Sequence, residues 1–405
     1  MIICAQGREG MATQTGRRLS RWSRWLVAAL LVATVGGGAG FAAPAAGSGL
    51  GPAVEQWRQL AAGDSYNCAV RADASLWCWG ANGQGQLGND APTFDPQAAP
   101  VQVEPGSQWR SVRPGKGTHT CGIRTDGSLW CWGSNWAGQV GDGTQTSRYA
   151  PVAVGVGFSW LVMATGNSHT CAIRDDATLW CWGQNHVGQL GDGTQTDRLT
   201  PVQIGVGESW VEVSAGWGHT CARRVDATMW CWGLGARVGD GTNAQRLSPV
   251  QIGAGFGWTQ VTTGYDHTCA IRADATLWCW GYPGSALGDG TGESRLSPVQ
   301  VAGGGAWATV EPGYWHTCGL RTDASLWCWG ANIRGEVGDG TYSSQLSPVP
   351  VAADQTWAQL GGGLDHNCAV RSDSTVWCWG SNDGGAIGQR PRVGERNVPT
   401  RALLL

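Results

Sequence analysis

Charge is scarce in this sequence: Asp, Glu, Lys and Arg together make up 14% of 405 residues, against about 25% in an average soluble domain. Acidic residues slightly outnumber basic ones, 30 to 27. With no basic stripe, the electrostatic footing for nucleic-acid binding is missing, and no nucleic-acid partner is expected. Long hydrophobic runs are missing as well. The apolar stretch from Leu26 to Val35 falls well short of the roughly 20 residues a membrane span needs, so no stable span is expected. No single, unrepeated nucleophile stands beside a base, which argues against an enzyme and leaves no catalytic residue to name. No 12-residue calcium loop occurs, and neither a cofactor nor a bound metal is expected.

What is present in excess is Gly (65), Trp (26) and Cys (15). The compartment for so many cysteines comes from the first residues. Arg17, Arg18, Arg21 and Arg24 precede the Leu26–Val35 run, and small residues follow in GFAAPAAG. That order reads as a secretory signal peptide over residues 1–45, with a linker over 46–56. The pair Arg17-Arg18 is followed by Leu-Ser rather than by two apolar residues, which disfavours twin-arginine export. Without residues 1–45 the chain keeps 22 basic and 29 acidic residues, a formal charge of −7. A secreted protein, extracellular or periplasmic, is expected.

The tetrapeptide Trp-Cys-Trp-Gly begins at Trp77, Trp130, Trp180, Trp230, Trp278, Trp327 and Trp377. Seven units of about 50 residues therefore fill residues 57–405. Each contains four strand-like pieces separated by turn signals: one starting at a Trp such as Trp210, a second around His-Thr-Cys, a third at Leu-Trp-Cys-Trp-Gly, and a fourth after a Pro such as Pro201. An open solenoid needs atypical capping repeats, whereas both end units here keep the full motif. An all-β, seven-bladed β-propeller of four-stranded blades is expected, its radial closure leaving only short edges. The terminal segment VPTRALLL is expected to enter the blade that begins near Trp57 and so fasten the ring.

In CGIRTDGSLWC the turn Thr125-Asp126-Gly127 is a three-residue hairpin loop, with Gly127 free to take the left-handed position. Arg124 then faces Ser128, and Cys121 lies opposite Cys131 at a non-hydrogen-bonded pair, close enough for a disulfide. The same register pairs Cys68 with Cys78, Cys171 with Cys181, Cys221 with Cys231, Cys269 with Cys279, Cys318 with Cys328, and Cys368 with Cys378. Cys4 is left over, in the signal segment. Alternation places Cys, Ile and Leu on one face of the hairpin and the tryptophans on the other, both faces being apolar because each blade is sandwiched between two others.

A unit reading G-x-x-H-T-C-A-I-R-x-D-A-T-L-W-C-W-G-x-N-x-x-G-Q-L-G-D-G-T resembles the repeat of the regulator-of-chromosome-condensation family, over about 349 of the 405 residues. The resemblance implies the seven-bladed fold but leaves function open. That family includes a nuclear exchange factor for a small GTPase, parts of ubiquitin ligases, a plant UV-B receptor that uses tryptophans, and secreted bacterial propellers that inhibit β-lactamases. The exchange factor acts through a wedge inserted in one blade, whereas these units differ in length by five residues at most. The receptor's Gly-Trp-Arg-His-Thr motif has one near match, at Trp217 to His219, and it lacks the Arg.

His119, His169, His219, His267, His316 and His366 share one repeat position, with Tyr66 in the first unit. Repetition argues for a structural His bonded to a neighbouring turn. A zinc site from His119, Cys121 and Cys131 is the alternative, and it would need free thiolates. Gly-Asp-Gly-Thr around Asp142, Asp192, Asp240, Asp289 and Asp339 reads as an Asx turn. Gly83–Gly88 matches a dinucleotide-binding pattern by accident, since no helix follows. The turn pairs such as Arg71 with Asp73 are expected to form a neutral, solvated rim. Function is expected where the units disagree, on the face that carries the loop from first to second strand and the long loop from third to fourth. There units four to six place Trp217, Tyr265, Tyr314 and Trp315 side by side, with Asp266 and Asp365 nearby, and the long loops of units four and five are shortened, which would uncover the patch. These six residues are the candidate ligand-binding set. They fit a non-enzymatic binding or scaffold propeller, a monomer, that recognises a protein or glycan. An exported inhibitor or regulator of an enzyme is the alternative, with an exchange-factor role behind it. The aromatics could instead plug the central channel.

Overall fold

The computed structural model describes residues 57–91, 95–389 and 394–402; the signal segment, the linker and Cys4 lie outside them. Within these residues are seven four-stranded antiparallel sheets, each built from one sequence unit in simple meander order. Blade one has strands Trp57–Ala62, Tyr66–Arg71, Leu76–Gly80 and Gln97–Val103. Three short 3-10 turns, Gly235–Arg237, Ser285–Leu287 and Asp383–Gly385, are the described helical segments. The ring expected from the repeats is the fold observed.

The hairpin register also holds. Cys121 pairs with Cys131 across the second and third strands, their Cα atoms 4.1 Å apart and their sulfurs bonded, and the six other predicted pairs are joined in the same way. The Arg124 N–H donates to Ser128 O at 2.9 Å and closes the loop. Gly127 takes the left-handed position at φ +86°, but in the other blades an Ala, such as Ala74 at φ +64°, or Ser374 at φ +69° does so at some steric cost. With the sulfurs joined, the thiolates that a His-Cys-Cys zinc site would need are not present.

Blades meet face to face by one rule. The disulfide face of blade one (Cys68, Cys78, Val70, Leu76) packs against Trp109 and Trp132 of blade two. The Trp132 indole N–H donates back to Gln86 O at 2.9 Å. Gly88, at φ +66°, lies flat on that same indole, where a Cβ would come within 2.5 Å of its nitrogen. Large buried aromatics of this kind carry most of the packing energy.

The last strand corrects one expectation. Arg396–Arg401 pairs with Val376–Gly380 of its own unit, Thr400 facing Cys378, and does not enter blade one. The outer edge of blade one is already taken by Gln97–Val103. The ring is closed instead by the ordinary seam: Trp57, Leu60 and Trp79 pack on Cys368, Val370, Cys378 and Ile387, and the Gln359 carboxamide bonds Trp57 O at 3.1 Å and Leu60 N at 3.0 Å. Leu403–Leu405 lie outside the described residues.

The turn arginines correct another. Rather than forming a solvated rim with the aspartates, Arg124 lies between Trp109 and Trp130, its guanidinium carbon 5.2 and 3.7 Å from the ring centroids, and the equivalent Arg in the other blades does likewise. The turn aspartate serves the backbone: Asp126 accepts from Ser128 N and Oγ, and that hydroxyl accepts the Trp130 indole N–H. These hydrogen bonds hold its carboxyl below the usual carboxylate range.

Candidate functional site

The first strands of the seven blades surround the central channel. Each ends in a short loop running from Gly to His, or to Tyr66 in blade one, and these loops ring one mouth. Main-chain bonds link them from blade to blade: Asn167 N to Gly216 O (3.1 Å), Trp217 N to Tyr265 O (3.1 Å), Tyr265 N to Gly313 O (3.0 Å), Tyr314 N to Leu364 O (3.0 Å) and Leu364 N to Gly63 O (3.1 Å). The long loops emerge on the same face, since Ser134 N of one donates to Thr118 O of the short loop beside it.

The histidines that end these loops are buried and belong to the wall rather than to the mouth. His119 Nε2 meets Thr170 Oγ1 of the following blade at 3.0 Å, and the next five repeat the contact, with Asn367 and Asn67 as partners at the last two seams. The partner is therefore a second-strand side chain of the next blade, where a turn was expected. Burial pushes the His119 imidazole down to about 3, which keeps it neutral. The Asp142 loop is an Asx turn as expected, with Thr144 N and Oγ1 donating to Oδ1. In addition Arg148 pairs with Oδ2, a link repeated at Arg198, Arg246 and Arg295.

The four predicted aromatics do come together. Trp217 stacks on Tyr265 (centroids 5.7 Å, 22°), Tyr265 meets Tyr314 edge to face (4.4 Å, 82°), and Tyr314 stacks on Trp315 (4.6 Å, 16°). Trp217, Tyr265 and Tyr314 are half-buried, and Trp315 is exposed. None of the four lines the channel cavity beneath. Trp136, on the long loop of blade two, is a further exposed tryptophan on this face that the sequence reading passed over, although it stands outside the three repeated tryptophan positions.

The two aspartates flank the arc, but each has an arginine partner. Asp266 pairs with Arg237 at 2.7 Å. Asp365 lies 4.0 Å from Arg334, which holds Asp383 at 2.6 Å. The shortened loop of blade four does not simply uncover the patch. Its 3-10 turn carries Arg237 over the Trp217 ring at 5.8 Å and over Tyr282 at 5.5 Å. Burial and the nearby Asp365 and Asp383 push the Asp64 carboxyl up to about 6 despite its bond from Ser65. Burial, with Tyr314 and Asp266 adding to it, pushes the Tyr265 phenol up to about 12.

Beneath the mouth lies a residue outside the candidate set. Lys116 leaves the loop of blade two, and its ammonium donates to Thr263 O of blade five and, at 3.4 Å, to Ala215 O of blade four. It thus bars the channel. Burial pushes its amine down to about 8. A signal was available, for Lys116 is the single lysine in the 405-residue sequence.

Comparison with known proteins agrees with this geometry. Models of the regulator of chromosome condensation (RCC1) repeat match residues 73–121, 126–173 and 176–223, and a second model of the same repeat matches 57–86, 210–237, 258–285, 310–336 and 357–386. Among curated proteins the chain is similar to the ultraviolet-B receptor UVR8 of Arabidopsis thaliana, 34% identical over 99 residues, 24% of this chain and 22% of the receptor. It is also similar to the probable E3 ubiquitin-protein ligase HERC3 of Homo sapiens, 34% identical over 98 residues, 24% of this chain and 9% of the ligase. The aligned part thus spans less than a quarter of either relative. Among solved structures, Prp20p of Saccharomyces cerevisiae superposes with a TM-score of 0.72 at 18% identity, over 85% of this chain and 87% of that one. Human WBSCR16 superposes with a TM-score of 0.70 at 19% identity, over 78% and 88%. The ectodomain of the Physcomitrella patens receptor kinase CR4 gives 0.53 at 21%, over 81% and 74%. At these identities the likeness is one of fold.

Proposed function

The chain belongs to the regulator of chromosome condensation (RCC1) repeat family, and from that premise we propose that it is an exported, non-enzymatic recognition propeller that binds a protein partner through the channel mouth. The observation that carries this reading is the unbroken run of ring contacts from Trp217 to Trp315 on the one face where the blades differ. Aromatic residues set among charged ones, here Arg237 with Asp266 and Arg334 with Asp365, make the kind of centre that dominates protein recognition. Seven disulfides favour an oxidising compartment. Prp20p, which shares the fold, has binding properties to Gsp1p and histones, which supports a protein over a glycan as the class of partner.

The test compares capture by the wild-type protein and by Trp217→Ala/Tyr265→Ala from the producing organism's culture medium, read by quantitative proteomics. The expected result is a partner whose capture falls at least tenfold in the double variant while the melting temperature stays within a few degrees, since half-buried surface rings contribute little to folding. Equal capture by both proteins would remove the mouth from the binding surface. If the captured partner is an enzyme, its activity with and without saturating propeller separates an inhibitor from a scaffold.

A further inference from the structure

One position of the first strands departs from the sevenfold rule inside the channel. Five blades put Ala61, Ala164, Ser214, Thr262 and Gly361 there, all small, while blade two carries Arg113 and blade six carries Glu311. These two charges belong to non-adjacent blades and line one cavity of about 150 Å³. Among the described residues no ion pair or hydrogen bond joins either side chain to a partner; burial raises the Glu311 carboxyl, against Arg113 and Lys116, which favour its ionised form from a distance, and with Glu212, which lines the same cavity, adding to the rise. The wall beside Glu311 is cleared by the run Gly361-Gly362-Gly363, where a Cβ at Gly362 would press to 3.0 Å from the Glu311 Cβ. Lys116 forms the roof, tied to Ala215 O and Thr263 O.

We propose that the channel is a binding chamber for a small zwitterion of amino-acid type, with its carboxylate on Arg113 and its ammonium on Glu311, beneath the Lys116 roof. A guanidinium offers two parallel N–H donors to a carboxylate, which a lone ammonium does not. Within the channel Glu311 is half-buried and Arg113 exposed; a carboxylate partly withdrawn from water without a partner carries a desolvation cost, and an ammonium ligand relieves it. A cavity of about 150 Å³ is known to take benzene, so ligands of roughly six to ten heavy atoms are the right scale. The inference is independent of the mouth reading, because none of the aromatic arc lines this cavity.

The experiment is calorimetric titration of the exported protein with glycine, alanine, serine, glutamine, lysine and γ-aminobutyrate, with acetate and ethylamine as singly charged controls. The expected result is saturable binding of at least one zwitterion with Kd below about 1 mM, weakened at least tenfold in Arg113→Gln and in Glu311→Gln, and at least tenfold weaker for both controls. A second readout needs no variant: because Lys116 is the single lysine, its acetylation by an amine-reactive ester, followed by mass spectrometry, is expected to slow when the ligand is present. No saturable heat for any zwitterion, binding unchanged in both variants, acetate binding as tightly as the amino acid, or unaltered acetylation of Lys116 would each overturn the proposal.

Discussion

At each of the seven seams the same contacts recur: a disulfide face against two tryptophans, an indole N–H to a loop carbonyl, and at six of them a buried His reaching a Thr or Asn of the next blade. At the mouth and in the channel no such rule holds, and Asp64, Lys116, Asn167, Trp217, Tyr265, Tyr314 and Leu364 occupy equivalent places in successive blades. A seam residue is held by packing on both sides, so any change disturbs two blades. A mouth residue has one side toward solvent, so its identity is free to follow a ligand. The closing seam between blades seven and one shows how far the first rule extends, for it uses the same contacts with Asn67 in place of Thr.

The sharpest way to break this comparison is to remove the disulfides, each of which lies within one blade on the face that a seam buries. Each closes a short loop and contributes on the order of 2–4 kcal/mol, against a total of about 5–15 kcal/mol for a folded domain. Full reduction is therefore expected to abolish the cooperative thermal transition seen by circular dichroism. A reduced protein melting within a few degrees of the oxidised one would refute the role given to the sulfur bridges.

Acid comes next. The seam histidines have folded values near 3 to 4, or well below the ordinary value for His219, while the unfolded imidazole titrates near 6.5. The unfolded chain thus binds more protons between those limits, and stability is lost as pH falls below 6.5, by about 1.4 kcal/mol per histidine for each pH unit. Asp64, raised to about 6, and Glu336, raised to about 7, oppose this, as do Glu212, Glu311 and Asp365, which burial also raises, but the six histidines outnumber them. Melting temperature followed from pH 7.5 to 4.5 is expected to fall steeply below 6.5, and a flat profile would contradict the buried neutral histidines.

Paired truncations sharpen the contrast further. Trp132→Ala, at a seam, is expected to lose about 3–5 kcal/mol in denaturant titration, while Trp315→Ala, at the mouth, is expected to lose under about 1 kcal/mol. Similar losses from both would erase the distinction between the two regions.

The smallest effect falls where a seam breaks its own rule. The position written Gln86, Gln139 and Gln189 becomes Glu336 in blade six, and burial pushes its carboxyl up to about 7. Above that pH an ionised carboxylate stays buried, so Glu336→Gln is expected to gain on the order of 1–3 kcal/mol at pH 8.5 and nothing near pH 4. Equal gains at both pH values would point to packing rather than charge.

How legible each region was follows from the same physics. Repetition averages over local exceptions: seven copies of Trp-Cys-Trp-Gly and a fixed hairpin length set the strand register, so the cysteine pairing was readable from spacing. Single departures carry no such average. Trp217, Tyr265, Tyr314 and Trp315 could be placed in one arc because each sits at a known repeat position, yet Arg237 over Trp217 could not, since it depends on how a shortened loop folds back. The stacking of Arg124 between two tryptophans was likewise missed, because its neighbours along the chain suggest an ion pair while the indoles that hold it come from other strands.

By itself the sequence determined the period, the number of blades, the sulfur bridges and the loop positions where blades differ, all of which depend on spacing along one chain and on the geometry of a single hairpin. Only the tertiary structure decided how the ring closes, which blade each histidine reaches, and that Lys116, Arg113 and Glu311 meet in one chamber. Those outcomes depend on distances between residues about 50 to 300 positions apart, and it is the angle between neighbouring sheets, written nowhere locally, that sets such distances.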